Sequence, residues 1–307
     1  MKIGIGKASG KIILMGEHAV VYGEPAIAIP FLGTKVVVTA ESNYEDALES
    51  IYYDGPIEFA PSSLKNIIAA FHVAKEKLML TEPIKIKITS SIPPERGMGS
   101  SAAVANAVIR ALFDYQKEPL SLDLLKNLAD VAEHIAHGNP SGIDQATTSG
   151  LRPLYFIKGA PFEEFPLNIA GFLVVADSNL KGRTKETVAH VAELLKAKPE
   201  LKKTINALGD LTKDTRKALE QNNLSLLAAT MNTAQTYLKQ LGVSSPTIED
   251  MLTLGLKNGA LGGKLTGGGG GGCVIFVTRT KEQVQTLQHA LQHAGYPTWN
   301  QDFRELR

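Results

Sequence analysis

PPERGMGSSAAVANAVIRALF, residues Pro93 to Phe113, is the stretch from which the rest of this 307-residue chain is best read. Prolines and glycines make a tight loop, two serines follow, and an alanine-rich apolar run with helical spacing (Val104, Val108, Ala111, Leu112) begins at once. The pattern predicts a loop that feeds a helix N-terminus. Small residues there let an anion approach the main chain, unpaired N–H groups point at it, and the helix dipole adds to the attraction. A plain capped helix after a turn would use the same residue types. The second serine and two further segments favour a phosphate cradle.

Standard nucleotide loops do not account for it. A P-loop needs Lys followed by Ser or Thr after its last glycine, yet Gly263-Lys264 precedes Leu265 and Gly10-Lys11 precedes Ile12. Gly4-Ile5-Gly6 would need glycine at position 9 to read as a dinucleotide fingerprint, and Ser9 stands there. The Gly-x-Ser-x-Gly elbow of hydrolases is absent around Ser100 and Ser101.

Working outward, 44% hydrophobic residues support a substantial core for one large domain or two smaller ones. Lys and Arg number 32 against 31 Asp and Glu, a net charge of +1 that makes no electrostatic case for nucleic acid or an anionic membrane. Any anionic partner must be held locally. A lone cysteine, Cys273, cannot close an internal disulfide, and Glu17 and His18 interrupt any apolar signal core, so the expected compartment is the cytoplasm. No apolar run reaches membrane-spanning length.

The order of elements predicts an α+β protein. Short β runs are expected at Ile12 to Met15, Ala26 to Ile29 and Val36 to Ala40, separated by glycine-containing turns. A helix over Leu64 to Met79, a half-buried strand over Ile84 to Thr89, the helix from Ser101 and another over Ser121 to Ala136 follow. Strands at Leu154 to Ile157 and Phe172 to Ala176 flank a Pro-rich, acidic loop, Ala160 to Asn168. That loop is the expected boundary between domains 1–168 and 169–307. Beyond it come helices at Thr184 to Lys196, Leu201 to Glu220, Leu224 to Gln240 and Ser245 to Asn258, the strand Cys273 to Val277 and the helix Lys281 to Ala294. The segment Glu41 to Pro61, mixed in charge and rich in tyrosine, reads as a lid or as ordinary surface.

Polar residues gather in two further places. GKIILMGEHAVVYG, Gly10 to Gly23, sets Lys11, Glu17 and His18 in an otherwise apolar run. AEHIAHGNPSGID, Ala132 to Asp144, puts Glu133 near a helix C-terminus, where the dipole disfavours a carboxylate and a cation such as magnesium would compensate. Asp144 follows an Asn-Pro-Ser-Gly turn that suits a base held in place. His134 and His137 lie three apart beside Glu133, but further ligands and the His-Glu-x-x-His pattern are missing, which argues against zinc. GALGGKLTGGGGGGCVIF, from Gly259, places six consecutive glycines between a helix and an apolar strand, where a flexible linker is out of place. They mark main chain that must come close to something.

Together and in this order, the three segments resemble the superfamily of galactokinase, homoserine kinase, mevalonate kinase and phosphomevalonate kinase. Its marks are a lysine-containing first motif ending Gly-Glu-His, a Pro-x-x-x-Gly-x-Gly-Ser-Ser-Ala phosphate loop, and a Lys-x-Thr-Gly-x-Gly-x-Gly-Gly motif. KIILMGEHAVVYGEPAIA and AHGNPSGID are similar to the mevalonate kinases, with the compact length of the bacterial branch. Ala19-Val20 departs from the Thr-Asp that galactokinases carry there. Gly270 stands where many bacterial relatives have a larger residue.

The resemblance implies a two-domain α+β fold: an N-terminal ribosomal-protein-S5-domain-2-like domain, a C-terminal ferredoxin-like domain, and an active site in the cleft between. It implies phosphorylation of the C5 hydroxyl of mevalonate by ATP with Mg2+. Asp144 would be the base and Lys11 its partner beside the reacting hydroxyl. Pro93, Gly97, Met98, Gly99, Ser100, Ser101 and Ala102 would hold the ATP phosphates, and Ser101 and Glu133 the magnesium. Glu17, His18, Asp144, Thr184, Gly267 and Gly268 would line the mevalonate side. The remaining readings are another kinase of the superfamily, acting on phosphomevalonate, galactose or homoserine, or a sensor that binds nucleotide without turnover. An apolar face on the second domain would serve equally as a homodimer surface or as core.

Overall fold

A computed structural model of the chain describes residues 2–137 and 142–306. The first half carries strands β1 (Ile3–Met15), β2 (Ala26–Ser42), β3 (Ala47–Glu49) and β4 (Asp54–Pro56), helix α1 (Lys65–Lys77), β5 (Ile84–Ser90), and helices α2 (Ser100–Gln116), α3 (Leu122–His137) and α4 (Ile143–Ser149). There follow β6 (Leu154–Phe156), β7 (Glu163–Glu164), β8 (Phe172–Asp177), α5 (Thr184–Ala197), α6 (Lys202–Glu220), α7 (Leu224–Gln240), α8 (Pro246–Lys257), β9 (Gly262–Thr266), β10 (Cys273–Thr278), α9 (Lys281–His293) and β11 (Thr298–Asp302). No helix among the described residues is long and apolar enough to cross a membrane.

The chain forms two compact units, neither continuous in sequence. One gathers Met1–Lys11, Thr34–Pro94 and Gly99–Leu151, the other Ile12–Gly33, Glu95–Met98 and Arg152–Arg307.

In the first unit, strands run β4, β3, β5, β2, with β3 parallel to β5 and the other pairs antiparallel. The 34–42 half of β2 alternates buried and more exposed residues, as a sheet with one covered face requires. Helix α2 is the centre of this unit. Twelve of its residues are buried, Ala103, Val108 and Leu112 among them, and it packs against α1, α3 and α4. A helix apolar on nearly every side is stable only when enclosed. Two strands of the sheet, β3 and β4, come from the Glu41 to Pro61 segment, while Tyr44, Ile51 and Phe59 within it are exposed.

The second unit contains a four-stranded antiparallel sheet in the order β11, β8, β10, β9. Its chain order of strand, helices, two strands, helix, strand is the ferredoxin-like arrangement. The central strands FLVVAD and CVIFVT are buried at every position, so they read as unbroken apolar runs.

Several expected boundaries move. The turn expected between the first two strands is present, with Gly16 at φ 97° and Gly23 at φ 90°, but β1 starts earlier than expected and runs unbroken through Gly4, Gly6 and Gly10. A Cβ on Gly4 would lie 2.2 Å from the Ala111 carbonyl oxygen, and one on Gly6 1.9 Å from that of Ala107. These glycines let the strand lie directly on α2. Ala26 to Ile29 and Val36 to Ala40 are likewise one strand, β2, which passes through Pro30 and Gly33. The buried amide of Gln301 bridges the proline: it accepts from Leu32 N at 2.6 Å and donates to the Pro30 carbonyl at 3.4 Å. Helix α4, which carries Asp144, strands β9 and β11, and the two-residue strand β7 inside the expected loop Ala160 to Asn168 are further elements beyond those expected.

Candidate active site

Within the first unit, the predicted loop does feed a helix N-terminus. Gly99 is the N-cap of α2 at φ 70°, and no side chain caps the helix. The first-turn N–H groups around Ser100 and Ser101 thus lack a capping side chain. Gly97 also has positive φ, 74°, as has Glu95 at 58°. Met98 and Ala102 are buried, Pro93 half-buried, and Ser101 exposed. Asn66 on α1 donates to Ser101 Oγ at 2.8 Å and holds the hydroxyl in place.

Lys11, only 5% exposed, emerges from β1, and its Nζ sits 2.9 Å from Asp144 Oδ1 in the first turn of α4. This pair adjoins the phosphate loop, because a Cβ on Gly99 would come within 2.7 Å of Lys11 Cγ. Glycine at 99 is required twice, by its φ and by the lysine stem packed on it. The turn ahead of α4, residues 138–141, and the His137 side chain lie outside the described residues. Glu133 is half-buried on α3, and the exposed His134 donates from Nδ1 to the Asp130 carbonyl at 2.8 Å. Among the described residues no group of three or more His, Cys, Asp or Glu could hold a metal ion.

A mostly apolar pocket of about 230 Å³ opens beside this loop, lined by Ile51, Tyr52, Ile88, Pro93, Ser100 and Val104 among others. Residues 50–52 were not among those predicted for the site. Their signal, aromatic and apolar residues in a polar surface stretch, is common to many loops.

The second unit assembles the other predicted residues. His18 has φ 60°, and its Nε2 lies 2.9 Å from the Gly268 carbonyl, which can only accept, so the ring donates there. Burial pushes its pKa below the ordinary 6.5, with Lys264 and His190 acting the same way and the Gly268 bond opposing. A Cβ on Gly268 would lie 2.4 Å from Thr184 Oγ1, so His18, Gly268 and Thr184 share one spot. Glu17 is buried, with its carboxylate held by the fully buried Lys264, which also donates to the Leu265 carbonyl at 2.6 Å. Burial pushes the lysine's pKa down while Glu17 holds it up. Glu17 therefore braces the glycine motif instead of presenting a free carboxylate to a ligand.

The glycine run is stitched to its neighbours by main-chain bonds. Gly270 N donates to Val243 O at 2.8 Å, Gly272 N to Leu180 O at 2.8 Å, and Gly269 O accepts from Arg183 N at 3.3 Å, while Gly182 N beside the run donates to Glu95 O at 3.1 Å. Gly267 and Gly97 approach so closely that a Cβ on either would lie 3.9 Å from the other's Cα. Arg96 Nε donates to Asp177 Oδ1 at 2.7 Å, a largely buried pair that anchors residues 95–98. Neither Arg96 nor Asp177 was foreseen, although a charge inside a glycine loop and an acid ending the apolar strand FLVVAD were both visible. An open pocket of about 650 Å³ is lined by residues 180–186 and Gly270, with Lys181, Arg183 and Lys185 beside Thr184.

Comparison with known proteins places the chain in a family. Residues 65–150 match the family model of the GHMP kinases N terminal domain, and residues 215–297 that of the GHMP kinases C terminal domain. The mevalonate kinase of Aeropyrum pernix is 33% identical, over 94% of this chain and 92% of that protein. A crystal structure of mevalonate kinase from methicillin-resistant Staphylococcus aureus is 34% identical with a TM-score of 0.77, covering 99% of both chains. The L. major mevalonate kinase, solved in complex with R-mevalonate, shares the fold with a TM-score of 0.84 at 23% identity, over 97% of this chain and 95% of that one.

Proposed function

Because this chain belongs to the GHMP kinases, with relatives along its whole length that are mevalonate kinases, we propose that it transfers the γ-phosphoryl group of ATP to the C5 hydroxyl of (R)-mevalonate, yielding 5-phosphomevalonate and ADP. The observation that carries this reading is the 2.9 Å Lys11–Asp144 pair packed beside the uncapped N-terminus of α2. A nucleotide sensor would have no use for a lysine and a carboxylate paired at that place.

Phosphoryl transfer has a loose transition state, so positioning and charge neutralisation supply most of the rate. The N–H groups at the start of α2 cradle the phosphates. Asp144 accepts the proton of the C5 hydroxyl as that oxygen bonds to phosphorus, and Lys11 sets a positive charge beside the oxygen while it is anionic. The apolar pocket along Pro93 and Tyr52 suits the base of ATP. His18, Thr184, Gly267 and Gly268 take the mevalonate side, where Lys185, beside the Lys181–Glu95 and Arg183–Glu186 pairs, suits a substrate carboxylate.

The donors at Ser101 and Glu133 fit magnesium. Both are hard oxygens, they lie on helices α2 and α3 that pack together, and Asn66 orients the hydroxyl. Ser101 Oγ and the Glu133 carboxylate would hold the ion, which would supply neutralisation of the charge on the ATP phosphates.

A coupled ADP-release assay across mevalonate, phosphomevalonate, galactose and homoserine tests the assignment. Turnover should appear with mevalonate and require ATP. Absence of mevalonate-dependent ADP release, or faster turnover of another acceptor, would overturn it.

A further inference from the structure

Helix α2 does more than present its N-terminus. In its interior, among alanines and valines, stands Asn106, wholly buried. A buried amide in such a setting costs stability unless each of its polar atoms is partnered. Here they are. Asn106 Nδ2 donates to Thr148 Oγ1 at 2.9 Å, and its Oδ1 accepts from Gln145 Nε2 at 2.8 Å. Thr148 Oγ1 in turn donates to the main-chain carbonyl of Asp144 at 2.8 Å.

The direction of this chain is fixed by its end. The Asp144 carbonyl only accepts, so the single hydroxyl proton of Thr148 goes there, and Thr148 must accept from Asn106. Asn106 then turns its oxygen to Gln145. One turn further along α2, on the same face, Arg110 donates to the Ser149 carbonyl at 2.8 Å and to the Lys7 carbonyl of β1 at 2.6 Å. Asn106 therefore grips the start of α4, where Asp144 sits, while Arg110 grips its end together with the strand that carries Lys11.

We propose that Asn106 and Thr148 are positioning residues for phosphoryl transfer: their hydrogen-bond chain holds the first turn of α4 so that the Asp144 carboxylate meets Lys11 beside the phosphate loop. The proposal rests on Asp144 being the base. Neither residue touches substrate. Their effect is on the geometry of the reacting groups, to which rate is far more sensitive than binding.

Thr148→Val keeps the shape and removes the hydroxyl, whereas Thr148→Ser keeps the hydroxyl and removes the methyl that packs toward Gly99. We expect Thr148→Val to lower kcat roughly tenfold or more, with KM for ATP and mevalonate changed by less than about threefold. Thr148→Ser should recover most of the turnover. A role in packing alone would reverse that order, with the cavity-forming serine the worse variant. Should Thr148→Val fold poorly because Asn106 is left unpartnered, Asn106→Leu and Gln145→Met with Thr148→Val replaces all three buried partners by apolar groups and should fold while keeping the low kcat. In an Asp144→Asn background, Thr148→Val should cost little more. Wild-type kcat in Thr148→Val or in the Asn106→Leu, Gln145→Met, Thr148→Val protein would overturn the proposal, as would a full multiplicative loss in the Asp144→Asn background. An Asp144→Asn protein with wild-type turnover would overturn the general-base reading beneath it.

Discussion

Asp144 and Lys11 share one ion pair but have different tasks in the proposed mechanism, and substitution separates them. Asp144→Asn keeps size and most hydrogen bonding yet cannot take the hydroxyl proton, so turnover should fall roughly 10²-fold or more while ATP and mevalonate still bind. Calorimetric titration beside steady-state kinetics checks this, and near wild-type phosphorylation would remove the base. Gly99→Val should abolish nucleotide binding, because the side chain must adopt φ 70° and would collide with Lys11 Cγ at 2.7 Å. Ordinary ATP affinity in that protein would contradict the cradle. If Glu133 holds magnesium as proposed, exchange for Gln replaces a charged ligand by a neutral one, so the magnesium concentration for half-maximal rate should rise sharply with little change in thermal stability. An unchanged magnesium requirement would move the metal elsewhere.

The elements explain why so many glycines are needed. Strand β1 lies on α2 through Gly4 and Gly6, and the run from Gly267 is bonded at Gly269, Gly270 and Gly272 to residues 180–183 and 243. The segment 95–98 is anchored from within by Arg96 with Asp177, whose side chains are 16% and 7% exposed. Arg96→Leu leaves a largely buried carboxylate without its cation and should cost about 3 kcal/mol, read from the denaturant midpoint. Pairing it with Asp177→Asn should restore much of the stability. If the single variant matched wild type in stability and in KM for ATP, the anchor would have no role.

Across the whole molecule, stability should depend on pH through buried His18. Its pKa in the folded protein lies below the ordinary 6.5, so on acidification the unfolded chain takes up the proton first. The contribution is complete above about pH 6.5 and is lost as pH falls from there toward the folded value. Melting temperature should therefore drop between pH 7.5 and 5.5, and less steeply in His18→Asn, since asparagine tolerates positive φ. Parallel curves for the two proteins would mean that His18 is not the group responsible. The sole cysteine adds no redox dependence, for Cys273 is fully buried and burial pushes its thiol pKa far up.

Much of this was legible before folding. The loop that feeds α2 could be read because its signal is local: glycines, two serines and a helix start within ten residues of one another. The helices of the second half were legible for the same reason, since helical periodicity is written in neighbouring residues. Gly33 misled, because a glycine that makes a turn and one that lies inside a strand look alike in a sequence. The polar pairs were beyond reach. Glu17 meets Lys264 across 247 residues, Arg96 meets Asp177 across 81, and Asn106 meets Thr148 across 42. Each depends on strand register and on which helix face is turned inward. No local propensity encodes these, and they are settled only when the two cores close and every buried polar group must find its partner.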